Sequence, residues 1–296
     1  MRETFPNERA PQDKKLAAWK KGPVFLASGS PYKLQGVKSL GMEHVSAVSV
    51  GEEVENEIFE HLQNHEDERV AMYIAEAKVR TLLATGVPDN ALVCAFDTVA
   101  IGTRREDGKR VREHLQKPHT REEAHANLLE FFMNIADQKK WQDKFHAPLL
   151  AEARKSPHFD DVENSMRVGY PESLVVIATG MAARVPGGGD TIHTGIARAM
   201  LEPHSLYAFA QAGKIEQRKQ FTEFANDALS IMDEGERWKK VTGGIDFSDP
   251  QIIGLLGIEE LKLLRELPES EPGVFKGMPQ EAFKKFLTAL AREDMG

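Results

Sequence analysis

Ser28, Ser30 and Lys33, followed by Lys78, Asp97 and Lys117, carry the side-chain chemistry to grip a phosphorylated ligand, and they fall at positions that could aim it. The segment Ser28-Gly29-Ser30-Pro31-Tyr32-Lys33 directly follows the apolar run Val24-Phe25-Leu26-Ala27. A buried strand running into a Ser-Gly-Ser bend places Ser30 to cap a helix whose first residue is Pro31, where the missing N–H costs nothing. The first-turn N–H groups of that helix have no intrahelical acceptor and face whatever lies beyond the strand end. With two hydroxyls and the Lys33 ammonium they could form a phosphate cradle, although a strand-turn-helix corner of this kind is common in any α/β protein.

Val70, Ile74, Lys78 and Leu82 are spaced by four and share one side of a helix. A lysine in an apolar stripe has two readings. It snorkels outward from a surface margin, or its ammonium sits in a pocket beside phosphate oxygens or a carboxylate, because an unpaired buried charge is costly. Asp97 follows Leu92-Val93-Cys94-Ala95-Phe96 and reads as a carboxylate at a strand end, where α/β proteins bind ligands. It could hold a divalent metal, orient or deprotonate water, or close an Asx-turn with Thr98. Lys117 precedes Pro118 and a helix cap at Thr120, on a rigid turn.

Other features carry less. His61 and His65 are one helical turn apart without a His-Glu-x-x-His order. Gly187–Gly189 lacks dinucleotide-binding spacing, and neither a Gly-x4-Gly-Lys-Ser/Thr loop nor a Gly-x-Ser-x-Gly elbow is present. Cys94 lies inside a strand and reads as packing. His158-Phe159-Asp160-Asp161 sits in a polar excursion and reads as solvated.

The elements that must position these residues alternate short strands with helices, an α/β class. Residues 1–21 read as a polar extension, helical over 12–20. A strand at 24–27 leads to a helix at 31–40 with Gly41 beyond its end, then a strand from His44 toward Val50. The acidic stretch 51–68 reads as a solvated face or loop, and 67–84 as a helix. Strand 92–96 extends through Val99–Gly102 into a hairpin centred on Asp107-Gly108. Thr120-Arg121-Glu122-Glu123 matches a capping box. Residues 137–170 lose regularity and read as an insertion. Ser173–Ala178 reads as a central strand, 185–190 as a loop, and 195–212, 218–234, 251–266 and 279–292 as helices, with a Gly-rich turn at 240–250.

The 296 residues allow a large core, and 41% hydrophobic with 28% charged residues is ordinary for a soluble globular protein. A formal charge of -8 argues against general nucleic-acid binding. Cys94 is the only cysteine, so no intrachain disulfide can form and a reducing cytoplasm is expected. The N-terminus is polar and broken by Pro6 and Pro11, and no apolar run reaches membrane-spanning length, so neither a signal peptide nor a membrane partner is expected.

Leu26-Ala27-Ser28-Gly29-Ser30-Pro31, Ala75-Glu76-Ala77-Lys78-Val79, Ala95-Phe96-Asp97-Thr98-Val99, Gln116-Lys117-Pro118 and Val176-Ile177-Ala178-Thr179-Gly180 occur in that order. In this order they resemble the Maf family of nucleotide pyrophosphatases. That family has Leu-Ala-Ser-Gly-Ser-Pro-Arg-Arg, a helix with Ala-x-x-Lys-Ala, Gly-Ala-Asp-Thr-Val, Gly-Lys-Pro and a later Val-Val-Thr-Gly strand. Gly235 to Gly244 and Ile252-Ile253-Gly254-Leu255 follow its later segments more loosely. The resemblance implies a Maf/inosine-triphosphatase-like elongated mixed sheet flanked by helices, with two lobes around a central cleft. After the extension 1–21, residues 22–296 would form that single domain, with insertions near 137–170 and 190–220.

The activity implied is hydrolysis of nucleoside triphosphates to monophosphate and pyrophosphate with a divalent metal, expected to be Mg2+, often in a homodimer. Carried onto this chain, Ser28, Gly29, Ser30, Lys33 and Thr98 would bind substrate. Lys78 and Lys117 would neutralise transition-state charge. Asp97 would hold the metal or activate water, joined by Glu53 or Glu55. The chain departs from the family at Tyr32 and Lys33, which stand where the two arginines are expected, and a lysine cannot reproduce a guanidinium fork. Glycines are also replaced at Cys94 and Gln116, and Ile245-Asp246-Phe247-Ser248 occupies the place of Ala-Tyr-Gly-Ile-Gln. The alternative reading is a diverged protein that binds a nucleotide or other phosphorylated ligand with weak or no turnover.

Overall fold

The computed structural model describes residues 11–51, 53–61, 68–106, 109–115, 117–129, 175–201, 214–244, 246, 249, 251–252, 264–266, 273–275 and 279–292. The expected insertion at 137–170, His65 and the His158–Asp161 run lie outside these residues. The chain divides into two compact units, Met1–Thr98 with Ala178–Arg198 and Pro268–Gly296, and Val99–Ile177 with Ala199–Leu267. The strands β3 (Leu92–Glu106), β5 (Val175–Arg184) and β6 (His193–Leu201) contribute residues to both.

In the first unit, β1 (Pro23–Leu26) lies between β2 (His44–Ala47) and β3, parallel to both. The order continues through β5 and β6 to β8 (Val274–Phe275), which pairs parallel with β6. Strand alternation sends successive residues to opposite faces, and the two cores follow it. Val24, Leu26, Leu92, Cys94, Phe96, Met181 and Ala183 enter one cluster, with Trp19 of α1 (Pro11–Lys21), Val37 of α2 (Pro31–Ser39), and Phe283 and Phe286 of α7 (Pro279–Arg292). Ala27, Val93, Ala95 and Ala182 enter the other, against Ala75, Val79 and Leu82 of α4 (Val70–Leu83). Phe96 and Phe283 have ring centroids 4.8 Å apart, and burying each such side chain stabilises the fold by roughly 1.5–3 kcal/mol.

Two glycines are required by geometry. Gly41 follows the end of α2 at φ 85°, a conformation an L side chain resists. Gly180 of β5 lies against the backbone of α4. A Cβ there would stand 2.0 Å from the Ala71 carbonyl carbon and 2.1 Å from the Met72 nitrogen. Close approach of helix to strand, with no side chain between them, seats α4 on the sheet.

In the second unit, β4 (Lys109–His114) pairs antiparallel with β3 from Ile101↔His114 to Glu106↔Lys109, as the hairpin reading expects. β7 (Leu264–Glu266) pairs antiparallel with β6. Helix α5, residues 121–129, begins at Thr120, whose hydroxyl accepts the Glu123 N–H at 3.1 Å, while the Glu123 carboxylate reaches back to the His119 N–H. Helix α6 (Lys214–Met232) buries Phe221, Ala225, Ala228, Leu229 and Met232, a helical stripe.

Four expectations are corrected. The acidic stretch contains a helix, α3 (Glu53–His61), with Glu53 and Glu55 in its first turn, where the helix dipole favours negative charge. β3 runs unbroken for 15 residues, so Asp97 lies within a strand and closes no terminal turn. Residues 193–201 are a strand and not the start of a helix. Ala197, Ala199, Met200 and Leu201 favour helix locally, but pairing with β8 and β7 overrides them. Residues 264–266 likewise pair as a strand. Among the described residues no helix is long and apolar enough to cross a membrane.

Candidate active site

The turn after β1 is built as its residue types require. The Ala27 N–H donates to the Cys94 carbonyl at 2.9 Å, holding β1 to β3, and the Ser28 N–H bends back to the Leu26 carbonyl at 2.8 Å. Ser28 Oγ accepts the Ser30 N–H at 3.2 Å, and Ser30 Oγ caps α2 by accepting the Lys33 N–H at 3.4 Å. Each hydroxyl spends a lone pair locally and keeps its O–H to donate, the polarity an anion needs. Gly29 is exposed, which leaves the bend open to close approach.

Lys33, the third residue of α2, reaches back over the sheet. Its Nζ lies 2.5 Å from Asp97 Oδ1 and 5.5 Å from the centroid of the Phe96 ring. The other oxygen of Asp97, Oδ2, is 3.4 Å from Lys78 Nζ, and Lys78 Nζ is 2.6 Å from Glu55 Oε1. Four charges of alternating sign, from α2, β3, α4 and α3, therefore run in one chain of contacts. Alternation along β3 puts Asp97 on the side of Val93 and Ala95, the side that α4 covers.

Lys78 is buried with Val70, Ile74 and Leu82 and its ammonium meets two carboxylates, so it does not snorkel outward from a surface margin. Burial works against its charge, but the Asp97 and Glu55 carboxylates outweigh that and hold its pKa above the ordinary value. Lys33 moves the other way. Burial, aided by the Lys78 ammonium, pushes its pKa down despite Asp97. Its side chain remains 20% exposed. Cys94 is fully buried, and desolvation pushes its thiol up to about 12, in keeping with a packing role.

The remaining expected residues are placed as follows. Thr98 Oγ1 lies 3.2 Å from Thr179 Oγ1 of β5, and alternation puts it on the opposite face of β3 from Asp97. Glu53 is exposed and turns its carboxylate back over Gly51, while Glu55 is the buried member of that pair. Lys117 belongs to the second unit, half-buried ahead of α5. The role of Gly180 in seating α4 escaped the sequence reading, although a glycine inside a strand signals close backbone approach.

A divalent cation fits the donor chemistry here. Asp97 and Glu55 offer hard carboxylate oxygens from two elements that meet at one ammonium. Among the described residues no group of three His, Cys, Asp or Glu side chains gathers into a complete cage. A metal bound by one or two carboxylates and completed by substrate phosphates, the habit of Mg2+, suits such a site.

The family model described as Maf-like protein matches residues 23–135, a segment that includes Lys33, Glu55, Lys78 and Asp97. Through this segment the chain is similar to the Maf-like proteins, in line with the motifs at 26–31, 75–79, 95–99 and 116–118; the likenesses after residue 135 lie outside the match. Proteins of this family are in general nucleotide pyrophosphatases. No curated protein matches the chain.

Proposed function

We propose that this protein hydrolyses nucleoside triphosphates to nucleoside monophosphate and pyrophosphate, using a divalent metal. The observation that carries the reading is the convergence of Lys33, Asp97, Lys78 and Glu55 beside the Ser28–Ser30 turn, where the parallel strand β1 ends. Two buried or half-buried ammonium groups and a turn with two hydroxyls match a polyanion better than any neutral ligand.

In this reading the Ser28 and Ser30 hydroxyls donate to phosphate oxygens, and Lys33 and Lys78 neutralise the charge that builds on the departing pyrophosphate. Water attacks the α-phosphorus, the bond to the α–β bridging oxygen breaks, and that oxygen leaves with the pyrophosphate as one proton is released to solvent. Asp97 and Glu55 would hold the cation, which when bound supplies charge neutralisation at the phosphates. Asp97 would also orient the attacking water.

A second reading, a nucleotide-binding protein with little turnover, draws on Lys33. The position where a guanidinium fork is expected holds a lysine turned inward onto Asp97. Pyrophosphate release from a panel of nucleoside triphosphates, with Mg2+ and then with chelator, separates the two. The hydrolase reading requires release that chelation abolishes. Saturable binding without release selects the second reading, and neither release nor binding removes both.

A further inference from the structure

Asp97 has an ammonium at each carboxylate oxygen, Lys33 Nζ at Oδ1 and Lys78 Nζ at Oδ2, and Glu55 shares Lys78. Within these contacts two positive and two negative side chains balance. A cation approaching Oδ1 meets the Lys33 ammonium already 2.5 Å from that atom. At an effective dielectric near 20, a unit charge about 5 Å from a divalent ion depresses its affinity by well over a factor of ten.

The two lysines are not equally fixed. Lys78 is held between two carboxylates with 8% of its side chain exposed, whereas Lys33 keeps 20%. The backbone of Lys33 is anchored by the Ser30 cap, in the same first turn that carries the cradle. Its flexible four-carbon stem can therefore swing from Asp97 to an anion at Ser28–Ser30 without moving the helix.

We infer that Lys33 is an exchangeable partner: a phosphoanion in the Ser28–Ser30 turn draws it off Asp97, and the released Oδ1 then accepts the divalent cation. The site thereby loads anion and cation as a pair and resists the cation alone. Coupling of this kind is reciprocal, so the cation tightens the anion by the same factor. The inference rests on the pyrophosphatase reading and adds to it an order of loading set by one residue.

The test measures Mn2+ binding by electron paramagnetic resonance, with and without pyrophosphate, in wild type, Lys33→Met and Lys33→Gln, with circular dichroism as the check on folding. Lys33→Gln carries the same comparison if the methionine variant fails to fold. The expected result has two parts. Mn2+ alone binds the variants well over tenfold more tightly than wild type, since the competing ammonium is gone. The factor by which pyrophosphate tightens Mn2+ is larger in wild type than in the variants by that same margin. Mn2+ affinity in the folded variants equal to or below wild type, with pyrophosphate still bound, overturns the exchange alone. Wild type that binds neither Mn2+ nor pyrophosphate overturns the pyrophosphatase reading and the exchange with it.

Discussion

Replacing Lys78 with methionine should destabilise the protein strongly, and replacing Lys33 with methionine should not. Lys78 Nζ lies 2.6 Å from Glu55 and 3.4 Å from Asp97. At an effective dielectric near 20 those contacts are worth roughly 6 and 5 kcal/mol of attraction, much of it offset by desolvating three charges. Lys78→Met removes both attractions, taking from buried Glu55 its 2.6 Å ammonium contact while Asp97 keeps Lys33, so the expected cost is about 3 kcal/mol. Lys33→Met leaves Asp97 its contact with Lys78 and removes an ammonium that burial disfavours, so stability should hold or rise. The assay is urea denaturation of wild type and both variants, compared by midpoint with the slope checked for change.

The pH dependence follows from the two shifts. The pKa of Lys78 is raised above 10.5, so its contribution is fully present below that value and is lost as pH climbs through the raised pKa. The deficit of Lys78→Met should be constant from neutral pH to about 10 and should close above it. The pKa of Lys33 is lowered from 10.5, so the handicap its charge imposes is present below the lowered pKa and fades as pH rises toward 10.5. A Lys78→Met cost below about 1 kcal/mol would refute the reasoning, because exposed pairs are worth no more than that.

Gly180→Ala should cost about 1–3 kcal/mol or more, since the added Cβ meets backbone of α4 that cannot move aside cheaply; an unchanged thermal midpoint would show that α4 is not seated there. Ser30→Ala should cost about 1 kcal/mol through loss of the α2 cap, read by the same denaturation, and no measurable change would remove the hydroxyl from that role. Cys94 should resist thiol reagents at pH 8 in the native protein and react once the chain is unfolded; rapid native modification would contradict its burial.

Local chemistry made the positions of the site's main residues legible. Ser30 followed by Pro31 can do little but open a helix, and the four-residue spacing from Val70 to Leu82 puts Lys78 on the apolar side of α4 while leaving open whether its ammonium turns outward. What stayed hidden depends on tertiary pairing. The run of β3 on through Val99–Gly102 is legible, but its full length to Glu106 rests on pairing with its neighbours. Glu55 sits in an acidic run that reads as solvated. The ammonium of Lys78, 2.6 Å away in space and 23 residues away in sequence, helps make its burial tolerable. The inward turn of Lys33 had no sequence signal, because a lysine at that place in a helix can point either way.

The most direct test compares pyrophosphate release from nucleoside triphosphates by wild type and Asp97→Asn, the second verified as folded. Asp97 stands between both lysines, and removing its charge should abolish release from every nucleotide the wild type hydrolyses in Mg2+. Release by the variant at the wild-type rate would contradict the account.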